Sequence, residues 1–364
     1  MYTETKATVL AVWYEDEEVQ KLTTDSEVGR AILFKRFTPP VKAGEQVWVN
    51  TTATTLKLGT GGWDIVRSLA GNHDGMIAGS WEAGHIMKAR YTPVQHSVLT
   101  VEEQQSDFHD IFCEPFSLAG THVWLAELHS MVPLMYYMAQ ELQEGISCCV
   151  IFDDQAALPL ALSDQLRELH REEFFSSITV GQAFGGQYEA VTLASALQFA
   201  KMVLQAKMIV ISVGPGVVGT GTVYGFSGMA QANWSNTVSA LGGMPIWVPR
   251  LSFADKRERH YGLSHHTLTP LSRFTLKEVV LPFPYLDDKY RQVIKRQLKE
   301  VSFQCSHQIH FAERNQAQSA FLRALKAAKL PLQTMGRSFA DDPAFFLAVA
   351  EAVRFGLELV PSTD

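Results

Sequence analysis

Hydrophobic and polar positions alternate in short stretches over residues 1–70. ATVLAVWY and GRAILFKRF are β-rich runs broken by charged turns, and KAGEQVWVN is a turn followed by an alternating strand. NTTATTLKLGTGGWDIV continues as Thr-rich extended chain around Leu58-Gly59-Thr60-Gly61-Gly62. No helical period appears there, so residues 1–70 are expected to form a small β-barrel or sandwich. Residues 71–117 are punctuated by Gly71, Gly75, Gly79 and Gly84 and read as a crossover.

From residue 118 the pattern becomes strand, loop, helix, repeated. THVWLAEL, SCCVIFDD, SITVGQ, KMIVISVG, MPIWVPR and LKEVVLP are near-continuous apolar runs, as in a parallel sheet buried on both faces. Between them, Met131, Leu134, Met135, Met138 and Leu142 mark one helical stripe, and Leu193, Leu197, Ala200 and Leu204 mark another. Helices are expected over YRQVIKRQLKEV and NQAQSAFLRALKAA. They flank VSFQCSHQIHF, a one-sided strand expected nearer an edge. Asp342 as N-cap and Pro343 at the first helical position start a last helix. The predicted architecture is α/β: a doubly wound, mostly parallel, Rossmann-like sheet over 118–364 behind an N-terminal β domain.

Composition adds limits rather than a reaction. The chain has 364 residues, 46% of them hydrophobic and 19% charged, as expected of an ordinary folded protein of two or three domains. No apolar run reaches the length of a membrane span, and the first residues lack the basic-then-apolar order of a signal peptide. Cys113, Cys148, Cys149 and Cys305 have no metal-type spacing and read as reduced thiols of a cytoplasmic protein. A net charge of −7 argues against nucleic acid as partner, and an oligonucleotide-binding barrel would lack a phosphate-tracking groove. Residues 71–190 are strongly acidic and 255–340 strongly basic, which would favour head-to-tail homo-oligomers or simply reflect solvated faces. Residues 191–254 contain no carboxylate at all.

In a doubly wound sheet the ligand lies outside the carboxyl ends of the strands. Five loops are expected there, each rich in glycine, histidine or small polar residues. The sharpest, Gly214-Pro-Gly216-Val-Val-Gly219-Thr220-Gly221-Thr222, has the spacing G-x-G-x-x-G directly after an apolar strand. It runs on through Gly225 and Gly228, and no acid follows at ribose-binding distance, so a nicotinamide cofactor is not assigned. Bare amides there would suit an anion, and a tightly packed turn is the plain alternative. Gly185 and Gly186 belong to a second such loop, and Lys88 and Arg90 would bring positive charge from the crossover. Ser227 in Gly225-Phe-Ser227-Gly228-Met229 misses the hydrolase nucleophile elbow.

Acid–base candidates are His265 and His266, with Asp255 to fix a histidine tautomer and His129 and Asp153 from neighbouring loops. Of the adjacent Asp153 and Asp154, one at most is expected to face a ligand. The spacing of His260, His265 and His266 permits metal ligands, but it matches no zinc signature, so no metal set is assigned. Helix starts alone would explain some of the small polar residues in these loops. They do not explain their concentration in all five.

The blocks VNTTATTLKLGTGGWDIV, GHIMKARYTP, DDQAALPLALSD, GQAFGG, GPGVVGTGTVYGFSG, SFADKRERHYGLSHHT and TMGRSFADDPAFF resemble a bacterial family carried as domain of unknown function 3866. The resemblance implies a cytoplasmic bacterial protein and no particular reaction. Three readings therefore remain open. One is an enzyme acting on a small anionic, phosphorylated or nucleotide-like molecule through histidine acid–base chemistry. The second is a non-catalytic sensor using the same cleft, and the third is a metal-dependent hydrolase. A histidine paired with another polar side chain in the cleft would favour an enzyme over a sensor.

Overall fold

The structure, a computed structural model, describes residues 2–57, 62–71, 84–92 and 94–359. The chain divides into two compact units, Met1–Glu82 with Tyr91–His96, and Ala83–Arg90 with Ser97–Asp364.

The first unit is a closed five-stranded barrel. Its strands are β1 (Glu4–Glu15), β2 (Val19–Thr24), β3 (Arg30–Phe34), β4 (Gln46–Asn50) and β5 (Asp64–Leu69), in the order β1-β2-β3-β5-β4. β1 pairs with both β2 and β4, which closes the sheet, and β3 runs parallel to β5. Ala7, Val9, Leu22, Leu33, Val47, Val49 and Val66 fill the inside. β2 escapes the sequence pattern because VQKLTT looks polar. Gln20 is nevertheless buried, its amide spent on Val41, donating to the carbonyl at 3.2 Å and accepting from the N–H at 2.8 Å. The Thr-rich stretch is not extended throughout. Thr52–Thr55 form one helical turn, α1, whose first amide is accepted by Asn50 Oδ1 at 3.0 Å. Residues 58–61, which include most of the glycine-rich turn read there, lie outside the described residues, as do Gly75 and Gly79 of the crossover.

Two short strands follow, β6 (Ile86–Lys88) and β7 (His96–Val98). The second unit then runs β8 (His122–Ala126), α2 (Met131–Leu142), β9 (Cys148–Asp154), α3 (Asp164–Leu169), β10 (Phe175–Gly181), β11 (Tyr188–Ala190), α4 (Leu193–Met202), β12 (Met208–Ser212) and α5 (Ala230–Ala240). It continues with β13 (Met244–Trp247), β14 (Leu251–Ser252), β15 (Gly262–Leu263), α6 (His265–Arg273), β16 (Val280–Phe283), α7 (Asp288–Lys299), β17 (Gln308–Phe311), α8 (Gln316–Ala327) and α9 (Pro343–Glu358).

Eight of these strands form one sheet, in the order β11-β10-β9-β12-β8-β13-β16-β17, and every pairing in it is parallel. This is a doubly wound, Rossmann-like α/β fold. Alternate strand residues serve opposite faces. Cys148, Val150 and Phe152 pack with α2, α8 and α9, whereas Cys149 and Ile151 pack with α4, α5 and α7. All four cysteines are free thiols.

Two expectations need correction. The strand read over 301–311 is only Gln308–Phe311, at the sheet edge, because the residues before it find no partner strand. Asp342 stands at the N-cap of α9 but does not cap it. Its carboxylate instead accepts from Ser252 Oγ at 2.6 Å.

Candidate functional site

Since all eight strands run one way, their carboxyl ends share an edge. β8 lies between β12 and β13, and the chain leaves it first to one side and later to the other. That reversal is the switch point at which such sheets open a crevice. Three connections meet there: Glu127 directly after β8, the glycine-rich loop after β12, and Arg250 three residues after β13.

Glu127 is the centre of the cluster. It is 2% exposed, and its Oε1 accepts from Arg250 Nη1 at 2.8 Å and from His266 Nδ1 at 2.7 Å. Its other oxygen, Oε2, is buried without a partner among the described residues. Burial pushes the carboxyl up, but the Arg250 charge and the His266 hydrogen bond outweigh it and hold Glu127 below the ordinary carboxylate range. Nδ1 of His266 also lies 3.1 Å from Arg250 Nη1. Nδ1 can donate to Glu127 or accept from Arg250 but not both; the shorter contact, to the carboxylate, puts the hydrogen on Nδ1, and the approach of Arg250 is then not a hydrogen bond.

Ser264 caps α6 by accepting from His266 N at 3.2 Å, which puts His265 and His266 in the first turn. His265 Nδ1 donates to the Arg259 carbonyl at 3.2 Å, and His260 Nδ1 meets Ser264 Oγ at 2.8 Å. The three rings contact one another, with centroids 4.3–5.0 Å apart. Burial, followed by the charges of Arg250 and Arg257, lowers His260 to about 3. Burial, followed by His266, lowers His265 to about 4. The positive end of α6 works in the same direction. His260 and His265 are thus neutral imidazoles at pH 7.

The glycine-rich loop folds over this cluster. Gly219 bridges to Phe226, with Thr220 N donating to the Gly225 carbonyl and Ser227 N to the Val218 carbonyl. The bridge lays Phe226 flat on His266, centroids 4.0 Å apart and planes within 2°. A side chain at Gly219 would sit 3.7 Å from His266 Nε2, and one at Gly228 would press on Glu127 at 3.3 Å. Thr220 and Thr222 spend their hydroxyls inside the loop, on each other and on the Gly225 backbone. Gly214 N donates to Asp154 Oδ2 at 3.1 Å. The amides of Gly216, Val217, Gly219, Gly221 and Thr222 have no partner among the described residues. α5 begins only at Ala230, so this is not the tight strand–helix turn of a dinucleotide fingerprint.

The structure brings His260, His265, His266 and the loop 214–222 together, and it adds Glu127, Arg250 and Phe226. The other candidates lie differently. Asp255 is held below the usual carboxylate range by Arg257, at 2.7 Å, and fixes no histidine tautomer through a hydrogen bond. His129 is half-buried, its Nε2 2.8 Å from Ser163 Oγ, and burial lowers it to about 4. Asp153 accepts from Trp234 Nε1 at 2.7 Å, and burial raises its carboxyl. Of the aspartate pair, it is Asp154 that meets the glycine-rich loop.

Lys88 is fully buried, and its three N–H groups go to the Gly181 and Ala183 carbonyls, at 2.8 and 2.9 Å, and to Glu189 at 3.2 Å. It has no donor left for a ligand. Gly185 N and Gly186 N are likewise spent, on Glu189 and Thr179. Arg90 is exposed, and its backbone amide donates to Gln182.

A family model described as a protein of unknown function, DUF3866, matches residues 30–353, nearly the whole chain. The chain belongs to that family. No curated protein and no solved structure matches it. No helix of the described residues is long and apolar enough to cross a membrane.

Proposed function

We propose that this DUF3866 protein is an enzyme acting on a small anionic molecule, phosphorylated or nucleotide-like, bound at the switch point. The observation that carries the reading is the buried Glu127–His266 pair, 2.7 Å apart, beside a loop with five amides that have no partner among the described residues. Glu127 holds the His266 ring through Nδ1 and leaves Nε2 without a protein partner among the described residues, the arrangement acid–base chemistry uses. A sensor would need no such pairing. The loop amides and Arg250 would hold the anion. Arg250 Nη2 is met by the Met335 sulfur at 3.3 Å, a weak acceptor that an oxyanion would displace with gain.

Inorganic phosphate and nucleoside monophosphates, read by thermal shift with chelator present, test the anion site. Gly216 has φ +103°, and open space surrounds the point where a Cβ would stand, so Gly216→Ala and Gly216→Asp carry the same backbone strain and differ in charge. Binding should survive in the first and vanish in the second. Equal binding by both, or none by the wild type, ends the anion reading. His266→Ala should lose turnover and keep anion binding, whereas a sensor would turn over no candidate substrate and would at most bind more weakly.

A further inference from the structure

We propose that His260, His265 and His266 form a binding site for a divalent transition metal of the zinc class, with an open coordination position towards the glycine-rich loop. The proposal rests on the anion site of that reading, changes the part His266 plays in it, and is tested without any anion.

One ring nitrogen from each histidine lies within 4.8 Å of the other two. The hydrogen-bond pattern says which nitrogen of each ring is free to bind an ion. Every Nδ1 is already held: that of His266 by Glu127, that of His265 by the Arg259 carbonyl, that of His260 by Ser264. Nε2 is therefore the free atom in all three rings, and none of the three bonds to another. Metal-binding histidines are oriented in this way, with the far ring nitrogen anchored on a carboxylate, carbonyl or hydroxyl. Rings crowded together without hydrogen bonds among them gain little from their proximity, so an ion between them would account for the grouping.

Charge also permits it. Arg250 is matched by Glu127 and Arg257 by Asp255, which leaves Arg259, felt by His265 and without a carboxylate partner among the described residues, as the one nearby cation a bound dication would have to offset. Three imidazoles favour zinc-class ions over calcium or magnesium, which want oxygen ligands. Three protein ligands leave a fourth position, as in catalytic rather than structural sites. Tetrahedral ligation needs nitrogens about 3.3 Å apart, given metal–nitrogen bonds of about 2.0–2.1 Å. The rings must turn to bring three Nε2 atoms to that spacing, and His265, half-buried, is the freest to do so. The i, i+5, i+6 spacing is unlike any zinc signature because the 3-10 turn Glu258–His260 and the start of α6, not one helix face, supply the ligands. An ion bound there would make His266 Nε2 a ligand rather than a base and would leave proton transfer to water in the open position.

The test uses the full chain stripped by chelator and titrated with Zn²⁺ by calorimetry, and with Co²⁺ by visible absorption. One equivalent should bind with a submicromolar constant, and Co²⁺ should give the intense bands of four-coordinate geometry. His265→Ala and His266→Ala should each weaken Zn²⁺ binding by more than the roughly 10- to 100-fold that losing an outer-shell partner costs. His310→Gln, on the exposed edge strand, should change nothing. Circular dichroism checks that the variants fold, and if they do not, the wild-type cobalt spectrum decides alone. Absent or weak binding by the wild type, a pale six-coordinate spectrum, or binding that survives both alanine variants overturns the proposal. Zinc uptake without anion binding, or the reverse, tells the failure of one reading from that of the other.

Discussion

Glu127 holds two partners with one oxygen while the other is buried and unmatched, so its charge is shared between Arg250 and His266. Removing that charge strands a guanidinium that is 5% exposed. Glu127→Gln should therefore destabilise the protein by about 3 kcal/mol, the scale for breaking one side of a buried ion pair. Adding Arg250→Met should recover much of the loss, since neither charge then remains. Urea unfolding of the two singles and the double measures the coupling. If the double variant is no more stable than Glu127→Gln alone, the pair is not the unit described. Lys88 makes the same point in reverse. Its cation looks available in the sequence, but burial lowers it, Glu189 offsets part of that, and two carbonyls use its remaining hydrogens.

Among elements, α9 shows how closely a helix can lie on the sheet. A Cβ on Gly356 would come within 2.4 Å of Trp124 Cζ2 and 2.5 Å of Ile246 Cδ1. Alanine is the better helix former by about 1 kcal/mol, yet overpacking a filled core costs about 1–3 kcal/mol. Gly356→Ala should thus lower the urea midpoint; a higher midpoint would show that the helix moves freely off β8 and β13. The apolar strands and helical stripes of the second unit were legible because burial on two faces leaves long unbroken runs. β2 and the start of β17 were not, since Gln20 and Lys21 are buried polar residues and Val301–His307 has the alternation without a neighbour to pair with. The site was legible in part. His265, His266 and the glycine spacing stand out as residue types, whereas Glu127 and Arg250 come from distant loops and look like any surface charges. Only the strand order puts them together. Position just beyond a β-strand was the available signal for Glu127, and it pointed equally to His129.

At the scale of the whole molecule, several histidines are kept neutral by burial. His129, His170 and His265 are lowered to about 4 and His260 to about 3, all below the ordinary value near 6.5. Below pH 6.5 the unfolded chain therefore binds more protons than the native one, and stability falls with pH until the native values are reached near 4 to 3. Unfolding midpoints measured from pH 7 to pH 5 should drop, with about two to four protons taken up on unfolding. A flat profile over that range would mean these rings are open to water. Zinc would deepen the dependence, since the ligands must be unprotonated to bind it.

Cys148 and Cys149 offer a use that has nothing to do with chemistry at the cleft. They are consecutive on a central strand, point to opposite layers, and are both raised by burial, Cys148 to about 12. A thiol so placed is inert to an alkylating reagent until its layer opens, whereas Cys113 is exposed and labels at once. Pulse alkylation of single-cysteine variants would then time the detachment of each helical layer from the sheet separately. Equal rates would describe a molecule that opens as one; unequal rates would name the side that lets go first.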